Sequence, residues 1–435
     1  MLTRVVVIVA CALVLTSIWL YPGIQLPELD AEHPHGLYFL STLAQSLAAV
    51  LALVFTVTLV IAQLSSQYSY RLPSRFLDIT AIAYTALFVV AILLPIGQLT
   101  HPTTIGARVS FSFGAVALVL LMPYLLSIRR KLDPDRILHD LGARVLTSVG
   151  GIDDAEPAEA RLIQSMTLSA CGVRDYESFG QGLAVLGDGM IAAFEGGKPG
   201  MAGAILARLR DACMSTIDDS VAVLRSVERL REVGKTAVSR NLADAAEAIM
   251  KHIGIFTVTC QERGITAGLN EGVISVGIIA IEAVKAGMRD VAMTAVNQIQ
   301  IIEHPAVEQG ADTTADWCAW SISRIALHGL RASDAHTITV GVSAVHRLAR
   351  HAMTKGLPRS AFRCIEALEE LGVEAAKRRD QSLVDRIMGA LDGLTKMTAA
   401  EACRARLGDA GEALSAVRHE AHSRGLVSRI VDPST

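Results

Sequence analysis

Small and polar side chains recur along one face of the second apolar stretch of this sequence. Their spacings of three, four and seven residues place them on one side of a helix. Such a face usually packs closely against other helices with hydrogen bonds between them, and the alternative is a lining for a pore or solute path. A pore would require several subunits, since each chain contributes one stripe. Its members are Ser41, Gln45, Ala49, Ala52, Thr56, Gln63 and Gln67.

A second group of polar residues combines carboxylates with imidazoles. It lies in the segment that precedes the second apolar stretch and, farther along the chain, at residue 101. Such a set could bind a divalent cation or respond to pH, and an ordinary polar loop is the alternative interpretation. The residues are Glu28, Asp30, Glu32, His33, His35 and His101. We assign them no metal.

Patterns typical of catalysis or cofactor binding do not emerge. Lys198 follows two glycines, but Pro199 replaces the hydroxyl residue that a phosphate-binding loop requires. His419 and His422 are three residues apart, whereas a zinc-protease helix needs four. The sequence therefore predicts no catalytic residue, no cofactor and no metal, and a protein that is not an enzyme.

Four uncharged apolar stretches, at about 5–21, 37–67, 79–99 and 109–128, dominate the first 128 residues. A helix needs roughly 20 apolar residues to cross a bilayer, and one central charge costs about 3 kcal/mol. We therefore predict a four-helix transmembrane domain over residues 1–128 of a multi-pass plasma-membrane protein.

The basic residues beside these stretches fall almost entirely on one side. This bias predicts that both termini are cytoplasmic. Arg108 lies on the opposite side. The seven on the cytoplasmic side are Arg4, Arg71, Arg75, Arg129, Arg130, Lys131 and Arg136.

The remainder of the chain is charged and predicted to be helical, with a juxtamembrane linker region at 129–215 and a repeat domain at 216–431. Glycine or another turn residue returns every 23 positions, which predicts helices of about 19 residues that end at a left-handed residue. The positions are Asn241, Gly264, Gly287, Gly310, Ser333, Gly356, Arg379, Ala402 and Gly425.

Alanine often stands four residues before these positions, as at Ala237 and Ala283. Pairs of such helices match the length of HEAT and armadillo repeats, so the predicted fold is all-α with an α-solenoid. An irregular helical bundle is the alternative. Pro305 should kink or split the helix that ends at Gly310.

The end of the second stretch resembles a family of prokaryotic predicted multi-span membrane proteins of unknown function. In that family a long second span ends in a Ser-Gln-aromatic-Ser-x-Arg segment. The matching residues here are Ser65, Ser66, Gln67, Tyr68, Ser69 and Arg71. The similarity extends over the four stretches to the basic segment at 129–136. It implies membrane topology and no particular activity.

Two functions follow from these patterns. The first is a membrane-anchored scaffold or sensor whose cytoplasmic helical array binds another protein. The alternative is a subunit of an oligomeric channel or transporter lined by the polar face of the second span. With 40 basic and 43 acidic residues, the chain lacks the basic surplus that a nucleic-acid partner would favour. The lipid bilayer, a protein partner and a second copy of the chain are the expected contacts.

Overall fold

The computed structural model describes residues 34–68, 79–100, 103–132, 134–151, 154–397 and 400–426. Within these ranges the chain forms sixteen α-helices and one short 3-10 helix, and no strand. The predicted all-helical, repeat-like fold is confirmed. The helices are α1 Pro34–Tyr68, α2 Ile79–Gln98, α3 Thr104–Leu132, α4 Pro134–Val149, α5 Ala158–Gly172, α6 Tyr176–Glu195, α7 Pro199–Ser215, α8 Ser220–Ser239, α9 Ala243–Glu262, α10 Ala267–Lys285, α11 Arg289–Glu308, α12 Asp312–Arg331, α13 Ala335–Lys355, α14 Pro358–Lys377, α15 Gln381–Thr395 and α16 Arg404–Ser423.

The chain divides into two compact units, Met1–Asp140 and Leu141–Thr435. In the first unit, α1, α2 and α3 pack against one another around Leu47, Phe88 and Ala117. Three of the four predicted spans fall on these helices. The stretch at 5–21 lies outside the described residues.

Two segments of the first unit are long and apolar enough to cross a membrane: Leu37–Thr56 in α1 and Ile105–Leu126 in α3. A shorter apolar segment, Tyr84–Gln98, lies in α2. Buried residues make up 22% of the first segment and 29% of the second, and the others are half-buried or exposed.

The second unit is a stack in which each helix packs against its chain neighbours and against the helix two positions away. Alternate helices therefore form two layers. The even layer consists of α6, α8, α10, α12, α14 and α16, and the odd layer of α5, α7, α9, α11, α13 and α15. Apolar residues at helical spacing fill the space between the layers, for example Ile249, Ile299 and Ile322.

The turns between repeat helices share one geometry. At Gly287, φ is +76°, its N–H donates to the Val284 carbonyl, and the Met288 N–H donates to the Ala283 carbonyl at 2.9 Å. This pair of bonds is the Schellman motif, which requires a left-handed residue after the helix. Eight of the nine predicted turn residues have positive φ: Asn241, Gly264, Gly287, Gly310, Ser333, Gly356, Arg379 and Gly425.

The position four residues before the turn is Cys260 at Gly264 and Gly329 at Ser333, but at six of the predicted turns it is alanine. Its carbonyl accepts the longer Schellman bond, and its side chain is fully or almost fully buried where the next helix approaches. These alanines are Ala237, Ala283, Ala306, Ala352, Ala375 and Ala421.

The same turn occurs earlier in the chain, at Arg174 and Gly197, again 23 residues apart. Ala170 and Ala193 accept the corresponding bonds. The next left-handed turn residue is Asn241, 44 residues beyond Gly197, so the period slips there by two residues. The regular turns thus extend into the region predicted to be a linker.

Two local expectations differ from the structure. Ala402 does not form a left-handed turn, because the connection after α15 instead passes through the 3-10 helix Glu401–Cys403 and is held by a bond from the Ala400 N–H to the Met353 carbonyl. Pro305 does not split its helix, since α11 runs through it to Glu308. The proline lies in the last turn and removes a single bond to Ile301, whose exposed position allows water to satisfy the carbonyl.

Candidate functional site

The predicted polar stripe lies on α1, and its described side chains bond within that helix. Gln45 donates to the Ser41 hydroxyl at 3.4 Å, and the Thr56 hydroxyl donates to the Ala52 carbonyl at 2.8 Å. Gln45 and Thr56 are exposed rather than packed against α2 or α3. Gln63 and Gln67 belong to the same helix, and their side chains lie outside the described set.

Two other polar groups noted in the sequence are not brought into one described site. His35 begins α1 with an undescribed side chain, and the other acidic and imidazole residues of that group lie outside the described residues. His419 and His422 are exposed on α16. None of these positions defines a binding geometry.

A different cluster appears on the odd layer, where α11 and α13 lie side by side. A depression of about 720 Å³ opens there, and Met397, after α15, contributes to its lining. The depression is unusually rich in titratable groups for the surface of a helical stack. Its lining residues are Gln300, Glu303, His304, Arg347, Arg350, His351, Thr354 and Met397.

His351 is the centre of this cluster, because both of its ring nitrogens meet a carboxylate. Nδ1 lies 3.4 Å from Glu303 Oε1 and Nε2 lies 2.9 Å from Glu308 Oε1. Lys355 donates to the other oxygen of Glu308 at 2.6 Å. The His304 ring stacks on His351 with 5.5 Å between centroids. We call His304, Glu308 and His351, with Glu303 behind them, the His–Glu cluster.

The two carboxylates have opposite electrostatic surroundings. Burial raises the pKa of Glu303, although its bond to His351 opposes that shift. The pKa of Glu308 is lowered by its hydrogen bond with Lys355, and that with His351 acts in the same direction. An inner carboxyl group therefore orients the imidazole, and an outer, ionised carboxylate faces solvent. This arrangement can bind a cation.

Sequence reasoning missed the His–Glu cluster. His304 and Glu308 have the i, i+4 spacing that places two side chains on one helix face. His351 follows 47 residues after His304, close to the length of one two-helix repeat, so the period itself carried the signal. Combining the period with the helix face would have brought the three residues together.

A second depression, of about 620 Å³, lies at one edge of the array among the turns at Asn241, Gly287 and Ser333. These turns are 46 residues apart, so they stack along that edge. Arg289 of one turn pairs with Asp334 of the next, with 3.0 Å between Arg289 Nε and Asp334 Oδ1. This ion pair joins two successive repeats, and each of the two charges has the other as its partner.

Comparison with known proteins adds little to this geometry. No family model matches the chain, and no curated protein matches it. Among solved structures, the chain is similar to a circular tandem repeat protein described as having a novel repeat topology and enhanced subunit contact surfaces. The identity is 12% and the TM-score 0.40, over 97% of this chain and 99% of that one. A likeness at this level carries no argument about function.

Proposed function

We propose that this protein is a membrane-anchored scaffold or sensor whose helical array binds a partner protein. The observation that carries the proposal is the regular two-layer stack, since helical repeats present extended surfaces that are generally used for protein binding. The proposed architecture is a HEAT- or armadillo-like α-solenoid on the cytoplasmic side of four spans. We assign no catalysis to it.

The membrane half of the proposal is supported by the uncovered apolar surface of α1 and α3. Phe55 and Leu53 are each 65% exposed, and Met122 is 63% exposed. Side chains of this size favour lipid over water by about 2 kcal/mol each. We therefore propose the anchor and orientation inferred from the sequence, together with the family resemblance that implies the same topology.

The anchor is tested on membranes isolated from cells that express the full chain. After washing at alkaline pH, the protein should stay in the membrane pellet and be released only by detergent. Recovery in the aqueous wash would overturn the membrane anchor while leaving the array untouched.

The binding half is tested on the array surface. Ile255 and Ile301 are about half exposed and lie 46 residues apart, at equivalent positions on α9 and α11. A photocrosslinking amino acid at either position should give one covalent adduct with the partner. An excess of the same protein without the photocrosslinker should suppress that adduct. The same probe at Phe362, on the even layer, is the matched control. Phe362 should give no such adduct, and the absence of a competable adduct at both Ile255 and Ile301 would overturn partner binding by this surface of the array.

The alternative is a subunit of an oligomeric channel or transporter. It is favoured by the exposure of Gln45 and Thr56, which are available to a second copy of the chain. A pore of this kind requires an oligomer in detergent and a solute flux in liposomes that Gln45→Leu reduces. A monomer without flux would remove this alternative.

A further inference from the structure

The His–Glu cluster has the composition of a metal site, and nothing in the proposed scaffold function requires it. We propose that His304, Glu308 and His351 bind a divalent transition-metal cation of the Zn²⁺ class. One ligand atom from each of the three residues lies within 4.8 Å of the others. The site spans two successive helices of the odd layer, so the metal would link adjacent repeats.

The distances are compatible with such a site. Zinc takes nitrogen and oxygen ligands at about 2.0–2.2 Å in tetrahedral geometry, which puts ligand atoms about 3.4 Å apart. Closing the widest separation therefore requires a movement of about 1.4 Å. His304 and Glu308 are exposed and can make that movement by side-chain rotation alone. His351 Nε2 and Glu308 Oε1 share a hydrogen bond of 2.9 Å, which the metal would replace as the two atoms separate by about 0.5 Å.

The ligand set selects the type of cation. Two imidazoles with one carboxylate suit zinc and its neighbours in the first transition series, whereas calcium and magnesium prefer an all-oxygen set. Three protein ligands leave one position for water or for a group from a bound molecule. The described cysteines are buried and none of them lines the depression, so the three ligands are nitrogen and oxygen atoms.

Glu303 supplies the feature that distinguishes this cluster from a chance group of surface charges. It is 9% exposed, and its carboxyl group contacts Nδ1 of His351 on the side away from the proposed ligand atom. Metal-bound histidines generally bond a carboxylate or carbonyl through the second ring nitrogen, which fixes the ring and its tautomer. Glu303 is therefore a positioning residue for His351.

Three cations surround the site and oppose metal binding. Arg347 and Arg350 line the same depression, and Lys355 holds the second oxygen of Glu308. A cation bound to Glu308 Oε1 would be repelled by the Lys355 ammonium on the other oxygen of the same carboxylate. Removing this ammonium should therefore strengthen metal binding, which gives a gain-of-affinity test that loss of folding cannot imitate.

The experiment uses the full-length protein in detergent, stripped of metal with a chelator and titrated with Co²⁺ as a spectroscopic probe. One equivalent should give the visible absorption bands of a tetrahedral nitrogen–oxygen site, without a thiolate charge-transfer band, and Zn²⁺ should abolish them. His304→Ala and Glu308→Gln should each weaken binding by about 100-fold, and Glu303→Gln by about 10-fold. Lys355→Met should tighten it several-fold.

His419→Ala/His422→Ala is the matched control, because it removes two exposed histidines outside the cluster, and it should leave the titration unchanged. Each variant is checked for an unaltered helical circular dichroism spectrum. Cobalt binding that no cluster substitution alters, or that requires millimolar metal, would overturn the proposal. So would a Lys355→Met protein that binds no more tightly than the parent.

Discussion

The carboxylate of Asp312, at the first position of α12, accepts a hydrogen bond of 2.8 Å from the backbone N–H of Ser360 in α14. Its other oxygen accepts from the Arg359 N–H at 3.1 Å. Asp312 thus caps a helix that begins one two-helix repeat later. Asp154 contacts Gly200 and Met201 at the start of α7 in the same way. Each acceptor serves the first turn of a helix that begins with proline.

Asp312→Ala should lower the free energy of unfolding by about 1–2 kcal/mol, because the first turn of α14 loses its only side-chain acceptors among the described contacts. Chemical denaturation of the full chain in detergent, followed by circular dichroism, measures the change. Asp244→Ala is the control, since Asp244 lies in the first turn of α9 but does not act as its cap. Equal losses in both variants would contradict the capping role.

Gly287→Ala should destabilise the array by about 1 kcal/mol, because an alanine side chain is strained at a φ of +76°. Gly389→Ala provides the matched control. Gly389 is exposed in the middle of α15 with open space around it. Alanine should therefore raise the free energy of unfolding by about 1 kcal/mol, because it has the higher helix propensity. Thermal unfolding of both variants should therefore shift in opposite directions.

Ser333→Gly should stabilise the protein, in contrast to most substitutions to glycine. Ser333 holds a φ of +59° at a repeat turn, a conformation in which glycine carries no steric cost. The relief of this backbone strain should outweigh the conformational entropy that glycine adds to the unfolded chain. We expect the free energy of unfolding to rise by about 0.5 kcal/mol. A lower midpoint of urea unfolding than that of the parent would refute the argument.

His252 makes stability depend on pH. It is 3% exposed in α9, both ring nitrogens lack a hydrogen-bond partner among the described residues, and burial lowers its pKa to about 4. The folded state favours the neutral ring, so its contribution is complete above the unfolded pKa of 6.5 and is lost as pH falls towards 4. The free energy of unfolding should fall by about 3 kcal/mol over that pH range.

His252→Leu should remove this dependence. Unfolding free energies of parent and variant, compared at pH 7 and pH 4.5, isolate the histidine from other titrating groups. The unfolding free energy of the variant minus that of the parent should be larger at pH 4.5 than at pH 7. An unchanged difference would show that the folded and unfolded states bind the proton equally well, so that burial does not lower the pKa of His252.

The six described cysteines should resist alkylation in the native protein. All six are buried, and burial raises the pKa of Cys213 to about 12 and that of Cys318 well above its ordinary value. The thiolate is the reactive form, so both access and ionisation oppose the reaction. Mass spectrometry after brief treatment with a maleimide should find these cysteines unmodified until denaturant is added. Rapid native labelling of Cys318 would show that the layers open.

The turns were predictable because their chemistry is local. Glycine and asparagine indicate left-handed positions by their residue type. Serine and arginine do not, so the turns at Ser333 and Arg379 were predicted from the 23-residue period. The turn at Arg174 was missed, since arginine gives no such signal and the period slips before Asn241. Ala170, four residues earlier, was the available clue.

The His–Glu cluster could not be found by local reasoning. It depends on the contact between α11 and α13, helices that are two apart in the chain and neighbours only after the layers form. Its orienting carboxyl group, Glu303, also lies at a position where an apolar residue would be expected. A buried charge beside a histidine is visible only when both the layer and the helix face are known.

The alternation of helices between two layers also restricts how such a gene can lengthen or shorten. Duplicating or deleting a pair of helices leaves every later helix in its original layer, with its apolar face turned towards the same neighbours. Gain or loss of a single helix would transfer all later ones to the opposite layer and expose their packing surfaces. Descendants of a common ancestor should therefore differ in length by whole pairs.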